Sequence, residues 1–363
     1  MDLDILGWND SLASHFADLQ RLDIALTPAR VVRELRGTYT VLGDFGAPLE
    51  QLTAQVAGRM RHQAAARDDF PAVGDWVAVQ PRSNEGTATI QAILPRHSAF
   101  VRQAVGGITE AQVVAANVDT VFIVAGLDQE FNLRRLERYV TLAWESGADP
   151  VLVLNKADLC PALDDVLART QTIALGVPIH PISAAQGQGL RELGDYLRPG
   201  VTVALLGSSG VGKSTLINSL LGEERLRVGA VRADDSQGRH TTTHRELIVL
   251  PGGGMIIDNP GMRELQLWAD AGSLDQAFGD VEALAARCRF ADCRHGSEPG
   301  CAVRAALEAG TLDPARWDSY LKLQRELRFL ETRQSQRAAI DEKARVKRFN
   351  RAIKARKKEV SRH

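Results

Sequence analysis

The chain has no apolar run long enough to cross a bilayer. Its longest, Val121 to Leu127 and Val151 to Leu154, fall far short of the roughly 20 residues a spanning helix needs. The N-terminus carries Asp2 and Asp4 and no basic stretch, which argues against a secretory signal. These absences lead us to expect a cytoplasmic protein with no membrane partner. No internal repeat, coiled-coil pattern or large apolar face stands out, so a monomer is expected. Composition is otherwise that of a globular protein, 44% hydrophobic and 25% charged over 363 residues, enough for two or three domains.

Net charge is also nearly absent, at −1 overall, but its distribution is uneven. Residues 343–363 hold ten Lys or Arg against the single acid Glu359, so the tail is cationic and the remainder acidic. Val346, Phe349 and Ile353 recur within it at helical spacing. Such a run is either the solvated end of a charged helix or an arm for RNA, because basic side chains release counterions from phosphates.

Five segments are expected. Residues 1–28 read as a helical leader, apolar at Leu12, Phe16 and Leu19. Residues 29–110 change to short alternating stretches (Arg30 to Leu42, Leu52 to Gly58, Asp75 to Gln80, Thr87 to Ile93) separated by turn residues. That texture suits a small β-barrel, either a five-stranded OB-type barrel, which often binds oligonucleotides, or an SH3-like one. Residues 111–272 alternate buried-type strands with helical stretches, as an α/β sheet domain does. Residues 273–335 read as a mostly helical segment around a cysteine cluster, followed by the basic tail at 336–363.

The α/β segment carries nucleotide chemistry. Gly207, Ser208, Ser209, Gly210, Val211, Gly212, Lys213 and Ser214, with Thr215 next, fit the phosphate-loop pattern between an apolar strand and a helix start. Backbone N–H groups and the helix N-terminus would hold phosphate oxygens, Lys213 would reach the β and γ phosphates, and Ser214 would hold Mg²⁺. Asp258 and Gly261, in Asp-Asn-Pro-Gly after another strand, suit a second switch: a water-mediated Mg²⁺ contact and an amide facing the γ-phosphate. In Gly238-Arg-His-Thr-Thr-Thr243 a threonine, preferably Thr242, could ligate Mg²⁺ only with the γ-phosphate present. The same threonines could equally begin a strand. Asn155, Lys156 and Asp158 form the guanine-reading tetrad Asn-Lys-Ala-Asp, in which a carboxylate accepts the guanine N1–H and N2–H₂. Ser183 and Ala184 match the element that supports the base. The base reader precedes the phosphate loop by about fifty residues, the reverse of the usual GTPase order.

Three of the four cysteines cluster: Cys288, Cys293 and Cys301, with His295 between the last two. Three thiolates and an imidazole are a donor set of tetrahedral structural zinc, with no open position for catalysis. An odd count argues against disulfides. Cys160, outside the cluster, reads as a free thiol.

With these motifs the chain resembles the circularly permuted bacterial GTPases of the ribosome-small-subunit-dependent GTPase A type, over nearly its whole length. Its carriers are NKAD, GSSGVGKST, GRHTTT, DNPGMRE and the cysteine cluster. The resemblance implies an N-terminal OB-fold, a permuted P-loop GTPase and a C-terminal zinc domain. It also implies binding to the small ribosomal subunit and its rRNA in late maturation, with GTP hydrolysed to GDP under stimulation by that particle. Two departures exist: Asn259 stands where the family usually has Thr or Ser, and the leader lies outside the shared core. Met262 stands where many GTPases place a water-orienting Gln, so intrinsic turnover should be at or below ~10⁻⁴ s⁻¹. His240 is the internal candidate for the missing role, in line with the family, although it could merely pack or cap its loop. An ordinary metabolic NTPase and a non-catalytic GTP-binding assembly factor are the competing readings.

Overall fold

A computed structural model of the chain describes residues 3–328 and 332, apart from 22, 24, 47–48, 65, 83–85, 104–110, 129–130, 225–244, 259–270 and 297. It contains two compact units, Met1–Gln266 and Leu267–His363.

The first unit begins with a 3-10 turn at Leu3–Leu6 and helix α1 (Asp10–Gln20), whose N-terminal amide at Leu12 is capped by Asn9 Oδ1 at 3.0 Å. Leu6, Leu12 and Phe16 are buried, and the Trp8 ring meets Trp76 edge-on at 4.8 Å. The leader is thus packed into the fold, although its sequence suggested no role.

Strands β1 (Thr27–Leu35), β2 (Thr38–Gly43) and β3 (Glu50–Val56), helix α2 (Gly58–Gln63), and strands β4 (Trp76–Arg82) and β5 (Thr87–Ile93) form the barrel. Its order is β1-β2-β3-β5-β4 with β4 closing back on β1. Four of the five pairings are antiparallel and β3–β5 is parallel. Val31, Val41, Leu52, Val77 and Ile90 fill the interior. Five strands closed in this way are OB-like rather than SH3-like. The stretch Arg30 to Leu42, read as one alternating segment, holds parts of two strands. Arg36 and Gly37 both adopt positive φ, 51° and 79°, the geometry of a tight hairpin turn whose twist matches its strands.

A hairpin of β6 (Ala99–Gln103) and β7 (Ala111–Ala116) follows the barrel. It falls across the expected seam near residue 110 and was not foreseen. The chain then runs through β8 (Thr120–Gly126), α3 (Leu133–Ser146), β9 (Asp149–Asn155), α4 (Leu163–Ile173), β10 (Ile179–Pro181), α5 (Leu190–Leu193), β11 (Thr202–Leu206), α6 (Lys213–Leu221), β12 (Arg245–Val249) and β13 (Met255–Asp258). The sheet order is β10-β9-β8-β11-β13-β12. All but β12 run parallel. This is an α/β sheet whose parallel strands end on one rim. It is continuous with the barrel, because β12 pairs with β1 at Arg33↔Glu246 and Glu34↔Arg245. Arg33 and Glu246 form an ion pair of 2.7 Å, and Arg245 and Glu34 one of 2.8 Å.

Beneath that seam lies Arg30, 1% exposed. Its guanidinium donates to the carbonyls of Leu6, Gly74 (3.2 Å) and Asn117 (2.9 Å), and to Thr202 Oγ1 (2.8 Å). It also lies 5.8 Å from the Trp76 ring centre. Burial pulls its pKa down to about 10 against the opposing pull of Asp119 and Asp75. It therefore remains charged at neutral pH. Asp75 is itself sealed in, accepting from Ala72 N and from the Arg96 fork at 2.7 and 2.8 Å. Burial raises its carboxyl above the ordinary range despite Arg96.

The second unit holds α7 (Ala271–Ala277), α8 (Gly279–Ala285), α9 (Ala302–Glu308) and a helix α10 over residues 314–328. Arg316 of α10 grips Asp280 at 2.6 Å and lies 4.6 Å from the centre of the buried Phe278 ring. Among the described residues of the chain, no helix is long and apolar enough to cross a membrane. The basic tail lies outside the described residues.

Arg30→Met should leave the Leu6 and Asn117 carbonyls and Thr202 Oγ1 without this donor, Gly74 O with Asn117 Nδ2 alone, and Asp75 without one of its neighbouring charges. The expected loss is about 3–5 kcal/mol of unfolding free energy, read as a lower urea midpoint. A midpoint within experimental error of the wild type would contradict the central role given to this side chain.

Candidate nucleotide site and metal centre

Gly207 follows the last residue of β11, and Lys213 opens α6. Between them the backbone turns sharply enough that Gly212 sits at φ 98°, and a Cβ there would collide with Asn155 Nδ2. Glycine is therefore required there by the close packing of Asn155 against the loop. Lys213 Nζ donates to the carbonyls of Gly207 (2.7 Å) and Ser208 (2.5 Å). Its charge is thereby pinned across the entering arm of the loop.

Asn155 is the residue that joins the motifs. Its Nδ2 donates to Val211 O at 2.8 Å, and its Oδ1 accepts from Ala184 N at 2.9 Å. It is 3% exposed, so one side-chain amide fastens the phosphate loop to the Ser183-Ala184 element from inside the protein. Lys156 adopts a left-handed backbone (φ 65°) and pairs with Asp128 at 2.6 Å. Asp158 Oδ2 accepts from Gln186 Nε2 at 3.2 Å. Ser183 is buried, and its Oγ accepts from Gln186 N at 3.3 Å. Asp258 is the last residue of β13, beside β11 in the sheet. Thus Asn155, Ser183, Ala184, the 207–215 segment and Asp258 gather at the C-terminal rim of parallel strands. His240, Thr242 and Gly261, along with Asn259 and Met262, lie outside the described residues.

Several participants escaped sequence reading. Asp128 and Gln186 sit in loops with no recognisable motif. Arg135, in the first turn of α3, donates to Ser208 Oγ at 2.6 Å. The pairing spans 73 positions, and no local pattern signals it.

In the second unit Cys288, Cys293, His295 and Cys301 place their donor atoms within 4.8 Å of one another. Cys288 Sγ lies 3.9 Å from Cys301 Sγ and 3.5 Å from His295 Nδ1; Cys301 Sγ lies 3.6 Å from the same nitrogen. A tetrahedral zinc with ordinary bond lengths has S···S edges of ~3.8 Å and S···N edges of ~3.5 Å. The donor set and its spacing therefore fit such an ion. Cys301 caps α9, its Sγ accepting from Arg304 N at 3.4 Å, so the helix start holds this donor in place. His295 is steadied edge-on by Trp317 at 5.4 Å.

Comparison with known proteins agrees with this geometry. A family profile described as RsgA GTPase matches residues 93–268. The chain is 49% identical to a small ribosomal subunit biogenesis GTPase RsgA of Opitutus terrae, over 99% of this chain and 98% of that protein. It belongs to the RsgA family. Among solved structures, YjeQ from Thermotoga maritima superposes with a TM-score of 0.62 at 28% identity, covering 83% of this chain and 98% of that one. YloQ, described as a circularly permuted GTPase, shares the fold at a TM-score of 0.61 and 23% identity, over 84% of this chain and 95% of that one. The reversed motif order of this RsgA-family chain is thus a property of its fold.

Two outcomes are expected. Asn155→Ala removes both links between phosphate loop and base element and should weaken guanine-nucleotide binding by about tenfold or more. A fluorescent-GDP titration reads this, and unchanged affinity would contradict the bridging role. Metal analysis should find one zinc per chain, lost in Cys301→Ser. Chelation should expose the second unit to protease while GDP binding persists.

Proposed function

We propose that this protein is a switch on the small ribosomal subunit: it binds that particle late in its assembly, hydrolyses GTP with water to GDP and phosphate, and then dissociates. The observation that carries the proposal is the Asn155 amide, which unites the phosphate loop and the base-supporting element in one site. Relatives of nearly the same length bear the name of a small ribosomal subunit biogenesis GTPase.

In this reading Asp158 accepts the guanine N1–H and N2–H₂, flanked by Asn155, Lys156, Ser183 and Ala184. The backbone of 207–215 cradles the phosphates, and Lys213 neutralises charge between the β and γ groups. Ser214, Thr242 and Asp258 would hold Mg²⁺, which when bound supplies charge neutralisation. Gly261 offers its amide to the γ-phosphate, and His240 orients the attacking water in place of the absent glutamine. Cys288, Cys293, His295 and Cys301 would hold one structural Zn²⁺. We assign 1–28 as leader, 29–110 as an RNA-binding barrel, 111–272 as the GTPase domain, 273–335 as the zinc-binding segment and 336–363 as a basic tail that grips rRNA. The protein acts as a cytoplasmic monomer.

GTP turnover measured with and without purified small subunits tests this. Stimulation of at least tenfold over a basal rate near ~10⁻⁴ s⁻¹ is expected. High basal turnover without stimulation would favour a free-standing NTPase, and binding without turnover a non-catalytic factor. His240→Ala should abolish most of the stimulated rate while leaving GTP binding intact; an unchanged stimulated rate would remove His240 from the mechanism.

A further inference from the structure

Most arginines whose partners are visible in this fold end on carboxylates. Arg33, Arg96, Arg134, Arg245 and Arg316 hold Glu246, Asp75, Glu137, Glu34 and Asp280. Arg135 does not. Its guanidinium has the neutral hydroxyl of Ser208 as its one partner among the described residues.

The position is also costly for the helix that carries it. Arg135 lies in the first turn of α3, where its own amide is capped by Asn132 Oδ1 at 3.2 Å. That turn contains no acid. A cation there opposes the helix dipole, and no pairing within α3 offsets Arg135 as Glu137 offsets Arg134.

Ser208 receives two cations. Arg135 reaches its side chain at 2.6 Å and Lys213 Nζ its carbonyl at 2.5 Å. Two like charges converging on one residue of a phosphate loop repel each other unless an anion lies between them. The N-terminus of α6 and the loop amides face the inner phosphates. Ser208 lies on the opposite, entering arm, so the position these side chains flank is that of the outermost phosphate.

We infer that Arg135 is a second cationic ligand for the terminal phosphate of a bound nucleoside triphosphate, held on Ser208 Oγ until that phosphate arrives. The inference rests on the GTP reading of the site. It makes Arg135 a discriminator of triphosphate from diphosphate, contributed by the helix that follows β8 rather than by a switch loop. Guanidinium geometry suits it, since two N–H groups can meet two phosphate oxygens at once.

The test compares full-length wild type with Arg135→Ala for binding of GDP and of a non-hydrolysable GTP analogue, by titration calorimetry with Mg²⁺. Thermal unfolding serves as the control for folding. Analogue affinity should fall by about tenfold, the worth of one charge-assisted hydrogen bond, while GDP affinity changes by less than about twofold. Arg135→Lys, which keeps the charge, should recover part of the difference. Equal losses for both nucleotides would show that Arg135 merely braces the loop through Ser208, and would overturn the inference. So would an unchanged ratio, or a lysine variant indistinguishable from alanine. Failure of the wild type to bind GDP would instead refute the nucleotide reading itself.

Discussion

A single buried cation organises the first unit. Arg30 leaves β1 and finds acceptors in the leader, at the Gly74 turn of the barrel, after β7 and on β11. A charge taken out of water is tolerated only when its donors are spent and counter-charges stand near. Asp75 and Asp119 supply the latter. Each acceptor belongs to a different part of the chain, so the arginine cannot be satisfied until leader, barrel and sheet have all assembled around it. The phosphate loop depends on this arrangement, because Thr202, one of the acceptors, begins the strand that delivers Gly207.

The site was far more legible in the sequence than the assembly that supports it. Phosphate loop, base reader and cysteine cluster are local patterns, fixed by chemistry that needs certain residues at certain spacings. The strands that carry them show as apolar runs because they are buried on both faces. What stayed hidden is non-local. Arg30 reads in sequence as one more polar residue of an alternating strand, and its burial follows from partners as far away as Thr202 and Met255. The leader read as a short helical segment with no role, yet Leu6 is buried and Trp8 packs edge-on against Trp76 of the barrel. The Arg36-Gly37 turn lay unmarked inside the stretch Arg30 to Leu42. Asn155 stood out as a member of the Asn-Lys-Ala-Asp motif, but not as the fastening between two motifs.

Permutation changes where the chain enters and leaves this site, not how the site is built. Strands β8, β9 and β10 come first in sequence and β11 and β13 last, yet their hydrogen bonds restore a single parallel array. The link between the two halves runs from α5 to β11 and is short. Asn155, fixed in the first half, then holds Val211 in the second, so the two parts of the sequence are fastened at the 207–215 loop.

Strand β1 divides its pairing between two structures. Its first residues close the barrel against β4, and its last, beyond an irregularity between Val31 and Arg33, pair with β12. An open sheet ordinarily presents its outermost strand to other proteins as a template for unwanted pairing. Here the rim that β12 would expose is capped by the barrel and sealed with charged side chains, while the opposite rim, β10, is only three residues long. The barrel therefore serves the nucleotide-binding sheet as a built-in guard against edge-to-edge aggregation, whatever else it binds.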